Sequence, residues 1–75
     1  MLNNRFIVRQ SEHIAARLEK TSADRPTQIG LAYAWILNRP ATAQEIELVT
    51  AYADRHGLPN AVRVLLNSNE FIFVN

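Results

Sequence analysis

Apolar residues recur along this chain at helical spacing, and no segment alternates apolar and polar positions over a length that would build a strand. Between Asn4 and Lys20, Ile7, Ile14 and Leu18 fall on one face with the small Ser11 and Ala15 between them, which predicts an amphipathic first helix. Asn3 or Asn4 can cap it, because a short side-chain oxygen accepts from the unpaired amides of a first turn. "KTSADR" then carries turn formers, and Pro26 suits a first helical position, where its missing N–H is no loss. The run "IGLAYAWIL", Ile29 to Leu37, is apolar nearly all the way round. It predicts a second helix covered on several sides at the centre of the core, with Tyr33 and Trp35 as packing residues. Gly30 lowers helix propensity by roughly 1 kcal/mol against Ala, so close approach of another helix is expected there.

"NRPATAQE" closes that helix and opens the next. Asn38 can take the left-handed conformation, Pro40 blocks continuation, and Thr42 with Glu45 has the pattern of a capping box. A third helix is expected over Ala43 to His56, with Ile46, Val49, Tyr52, Ala53 and His56 sharing a broad face, and Gly57 stops it. After "GLP", Ala61, Val62, Leu65 and Leu66 make a short fourth helix that ends near Asn67, where "NSNE" offers competing local hydrogen bonds. The expectation is therefore all-α: a compact bundle or orthogonal array of about four helices in one domain, residues 1–75, with a short apolar C-terminal tail. The closing "LLNSNEFIFVN" and the opening "MLNNRFIV" share an asparagine turn beside an apolar burst, but the segments around them do not match, so this is shared punctuation and not an internal repeat.

Composition narrows the chemistry. A chain of 75 residues near this size buries about 60% of the surface its unfolded form exposes, and with no cysteine neither disulfides nor thiolate metal sites supplement the core. Eight basic and seven acidic residues leave a net charge of +1, far from the positive field a phosphate backbone selects. The first twenty residues are dense in Arg, Glu and His, so no signal peptide and no membrane span is visible, and the compartment is not written in this chain. His13 and His56 are the only imidazoles and lie on different helices, short of the three or four convergent ligands zinc requires. C-x-x-C-H is absent, so no haem attaches covalently and no cofactor is expected. Ser11, Glu12 and His13 are consecutive, which points them in different directions on a helix, and Gly30 and Gly57 are too isolated for a phosphate loop. Arg5, Arg9 and Arg17, interleaved with Glu12 and Glu19, read as a solvated face. The second helix, the "NRPA" turn and the third helix have the outline of a DNA-binding helix-turn-helix. Glu45, Glu47 and Asp54 on the candidate recognition helix argue against it, so no nucleic-acid partner is expected.

"LNNRFIVRQSEHIAARLE", "AYAWILNRPAT" and "RHGLPNAVRVLLNSNEFIFVN" follow one another in an order that resembles the C-terminal end of domain of unknown function fifteen fifty-three. This is the closing domain of large planctomycete proteins, many of which also carry a cytochrome c-type haem domain. The resemblance spans essentially the whole chain. It is most specific at Leu65, Leu66, Asn67, Asn69, Glu70 and Phe71, with support from Arg39 and Pro40 and from "HGL" at His56, Gly57 and Leu58. Asn38 stands where that family usually has glycine, and Ala41 where a second proline is common; asparagine still tolerates the left-handed conformation.

The resemblance implies that this chain is the C-terminal piece of a much larger exported parent, linked to electron transfer or polysaccharide breakdown, and it carries over no catalytic residue. The expected function is then a noncatalytic structural or interaction module. The alternatives are a wall of the parent's active site, or the small helix-turn-helix domain. The expected partner is the remainder of the parent, or a second copy bound through the tail. Burying a large apolar side chain stabilises by about 1.5 to 3 kcal/mol, so Phe71 is expected to fold back near helix one or two, with Glu70 pairing an arginine. Successive side chains of an extended tail alternate in direction, which leaves Ile72, Phe73 and Val74 as the expected docking surface.

Overall fold

A computed structural model describes residues 5–68 as four helices: α1 (Arg5–Thr21), α2 (Arg25–Leu37), α3 (Ala43–His56) and α4 (Leu58–Leu66). No strand occurs among the described residues, and the fold is the all-α bundle that the periodicity implies. The Asn3 or Asn4 cap, the family positions Asn69, Glu70 and Phe71 with the expected fold-back, and the tail surface Ile72, Phe73 and Val74 lie outside the described residues.

Each boundary has a local cause. Asp24 caps α2, its carboxylate accepting from the Thr27 amide at 3.0 Å and the Thr27 hydroxyl at 2.6 Å, with Pro26 in the first turn. Asn38 ends α2 in the left-handed region at φ 58°, ψ 37°. Thr42 and Glu45 form the capping box reciprocally: Thr42 Oγ1 accepts from the Glu45 amide at 3.1 Å, and Glu45 accepts from the Thr42 amide at 2.9 Å. Gly57, at φ 96°, is the only residue between α3 and α4, and its amide donates to the Ala53 carbonyl at 2.7 Å. Because the chain turns within that one residue, α4 starts at Leu58 with Pro59 in its first turn, ahead of the start expected after "GLP".

Helices α2 and α4 each pack on the other three, whereas α1 and α3 pack only on α2 and α4. From α1, Ile7, Ser11, Ala15 and Leu18 are buried, and the Ser11 hydroxyl is satisfied within the core by donating to the Ile7 carbonyl at 2.8 Å. The largest fully buried side chains are Leu18, Ile29, Leu58 and Val62. Two of these four belong to the short α4, five of whose nine residues are buried, so α4 shares the centre of the core with α2, where it was expected.

Three further expectations are corrected. The buried stripe of α2 is Ile29, Ala32 and Tyr33, with Ile36 partly buried beyond it, an i, i+3, i+4, i+7 series; Trp35 falls off this stripe and is 42% exposed. Although α2 packs on all three other helices, as expected, Ala34 and Trp35 are left exposed, and continuous apolarity concealed that. On α3 only Ala53 is fully buried, with Ile46 and Val49 partly so, while Tyr52 and His56 face outward. Gly30 approaches α3, but a Cβ placed there would sit 3.7 Å from Ile46 Cδ1, an ordinary contact, so packing does not demand glycine.

Candidate interaction surface

The polar side chains around the core cap helix ends or, in two ion pairs, tie α3 to α2 and the turn after it. Arg39, from the turn after α2, reaches Glu45 through two parallel bonds, Nη1 to Oε1 at 2.9 Å and Nη2 to Oε2 at 2.7 Å, and donates to the Pro40 carbonyl at 3.0 Å. Its guanidinium also lies 5.3 Å from the centroid of the Tyr33 ring. The Arg39 hydrogen bonds, and after them the Thr42 amide, hold the Glu45 carboxyl down at about 2. Asp24 is likewise lowered, by the Thr27 hydroxyl first and the Thr27 amide second. On the other side of α3, Asp54 accepts from Arg25 Nε at 3.2 Å. Arg25 also donates to Gln28, whose buried amide donates to the Ser22 carbonyl at 2.6 Å. Around α4, Asn60 donates to the His56 carbonyl at 2.7 Å, at the end of α3, and accepts from Arg63, and Asn67 donates to the Arg63 carbonyl at 3.0 Å through both its side chain and its backbone amide.

The residues singled out from the sequence separate accordingly. Arg39 joins α2 to α3, Pro40 sits exposed in that turn, Gly57 is the α3–α4 corner, Leu65 and Leu66 are core, and Asn67 closes α4. They share no pocket and have structural work in hand. His13 and His56 are exposed on different helices, and no group of three or more His, Cys, Asp or Glu gathers to hold a metal ion among the described residues. Glu12 and His13 point to solvent while the Ser11 hydroxyl bonds inward, so the three form no relay. No described helix is long and apolar enough to cross a membrane.

What the surface offers instead is apolar. Phe6 on α1, Trp35 on α2, Leu48 and Tyr52 on α3 and Val64 on α4 are all exposed. Arg17 of α1, expected to be merely solvated, lies over Trp35 at 5.4 Å and partly screens it. On the outer side of α3 no cation lies over the exposed side chains in this way among the described residues. Leu48, 61% exposed, lines a shallow depression of about 230 Å³ with Ala51, Tyr52, Arg55 and His56. The Tyr52 and His56 rings are 4.6 Å apart and tilted by 45°. A smaller recess of about 60 Å³ between α1 and α4, lined by Val8, Ser11, Glu12, Pro59, Asn60 and Arg63, has room for little beyond water.

The sequence reading missed this outer face of α3, although its signal was present: Leu48, Ala51 and Tyr52 stand at i, i+3, i+4, opposite the inner set Ile46, Val49 and Ala53. Comparison of the chain with protein-family models, with curated proteins and with solved structures gives no match.

Proposed function

We propose that the chain is a noncatalytic helical module that works through its surface, completing or joining a larger exported protein of the kind that ends in domain of unknown function fifteen fifty-three. The observation that carries this reading is the division of labour among the side chains. Arg25, Arg39, Glu45 and Asp54 are tied into the fold, while a large apolar side chain stands exposed on each of the four helices. Exposed apolar side chains scattered singly are ordinary; the Leu48–Tyr52 face of α3 is not single and forms a continuous depression. The resemblance at Leu65 to Phe71, with Arg39, Pro40 and Gly57, supports the placement at the end of a larger parent.

The test has two arms. Mixing the isotope-labelled chain with the polypeptide encoded upstream in the same reading frame is expected to give saturable chemical-shift changes at exposed apolar positions, weakened by Phe73→Ser; an unchanged spectrum at saturating partner overturns the module reading. Zinc or haem titration is expected to leave the melting temperature unchanged, because a ligand that binds the native state must raise it. A saturable rise would point to a cofactor site and against a purely structural role.

A further inference from the structure

Among the acidic and basic side chains of α3, Glu45 is paired with Arg39 and Asp54 with Arg25. Glu47 and Arg55 have no ion-pair partner among the described residues, and both are exposed. They stand eight residues apart, about 12 Å along the axis, too far to meet each other within one helix. With Ala51 midway they follow a single i, i+4, i+8 ridge: acid at one end, a small residue in the middle, base at the other. The adjacent ridge is Gln44, Leu48, Tyr52 and His56, which carries the exposed apolar groups of the helix.

We infer that this face binds the same face of a second copy, with the two α3 helices antiparallel and crossing at Ala51. The inference rests on the module reading above and names one of its partners. A two-fold axis at Ala51 brings Glu47 of each copy to Arg55 of the other, so both charges are matched twice by one operation. The alanines let the helices approach closely at the crossing. Leu48 and Tyr52 of each copy then cover the partner's shallow depression, removing from water the most exposed apolar group of α3. A parallel pairing sets Glu47 against Glu47 and Arg55 against Arg55, and like charges reject it. One helix face per partner is a small interface, below the roughly 800 Å² per partner of stable complexes, so the pairing is weak and concentration-dependent. In a larger parent it joins two copies side by side.

Sedimentation equilibrium of the full chain tests this over a range of about 10 μM to about 1 mM, the span suited to a small interface. The expected result is a reversible monomer–dimer equilibrium that weakens as salt is raised. Glu47→Arg alone and Arg55→Glu alone are each expected to weaken association at least tenfold, and the double exchange, Glu47→Arg with Arg55→Glu, to restore it. Arg5→Glu, which makes the same charge change as Arg55→Glu at an exposed site on another helix, is expected to have no effect. A wild-type chain that stays monomeric throughout overturns the pairing, as does a double exchange that fails to rescue. Circular dichroism of each variant verifies the fold, and the salt dependence of the unaltered chain gives a readout that needs no substitution. A monomeric chain that still binds the upstream polypeptide refutes the pairing and leaves the module reading standing.

Discussion

Helices α3 and α4 are separated only by Gly57, yet they are held by opposite means. Five of the nine residues of α4 are buried, Leu58, Ala61, Val62, Leu65 and Leu66, and its N-terminus has no side-chain cap. Of the fourteen residues of α3 only Ala53 is fully buried, but it has a complete capping box and an ion pair toward each end, Glu45 to Arg39 and Asp54 to Arg25. A short helix with a poor start persists because burial fixes it, since most helical stability in proteins comes from packing and not from intrinsic propensity. A longer helix with a thin buried face is held by its ends and by partners on α2 and its flanking turn. A helix anchored in this second way leaves Leu48 and Tyr52 exposed among the described residues.

The contrast can be broken most sharply at Leu58, which is 2% exposed. Leu58→Ala is expected to lower stability by about 2–5 kcal/mol, as read by urea denaturation; a loss no larger than that of a surface change would show that burial does not hold α4. On the other side of the comparison, Thr42→Ala removes the cap of α3 and is expected to cost about 1 kcal/mol, with far-UV circular dichroism reporting a frayed start. If Thr42→Ala proves neutral, the local account of α3 fails.

Acid should act on α3 before α4. The Glu45 carboxyl is lowered from an ordinary 4.5 to about 2 in the fold, so its stabilising contribution is complete above the unfolded value and fades as pH falls from about 4.5 toward about 2. Melting curves across that window are expected to show a declining midpoint, and Glu45→Gln is expected to flatten the decline; an identical decline in the variant would remove Arg39–Glu45 from the account. Asp24, lowered in the same direction, contributes the part that persists in the variant.

Gly30 provides a smaller effect of opposite sign. Since a Cβ there meets only Ile46 Cδ1 at an ordinary 3.7 Å, Gly30→Ala is expected to raise stability by about 0.5–1 kcal/mol through helix propensity and unfolded-chain entropy. A loss would reveal a demand for close packing between α2 and α3. The smallest effect belongs to the outer face: Leu48→Asp is expected to change stability by less than about 0.5 kcal/mol while altering association. A large loss of stability would show that Leu48 serves the fold after all.

Boundaries were the legible part of this protein. Asn38, the Thr42–Glu45 box, Gly57 and Asn67 act through side chains and backbone conformations within three or four residues, so their sequence neighbourhood contains the whole interaction. Asp24 was legible too, as a cap residue two positions before Pro26, and was passed over among the turn formers of "KTSADR". The candidate surface was half legible: the i, i+3, i+4 spacing of Leu48, Ala51 and Tyr52 is in the sequence, but nothing in the spacing says which of the two apolar faces of α3 meets the core.

That choice is the kind of decision that tertiary structure makes. Sequence by itself determined four helices, several of their ends and the all-α class, because helix formation and capping are short-range events governed by periodicity and local hydrogen bonds. Only the packed arrangement decided that the short α4 is buried over more of its length than α2, that Trp35 rests under Arg17 at the surface, and that Arg25 meets Asp54 across twenty-nine residues of chain. Burial and ion pairing depend on which distant segments arrive beside a residue, and an apolar side chain carries the same preference for covering whether or not a neighbour comes to cover it.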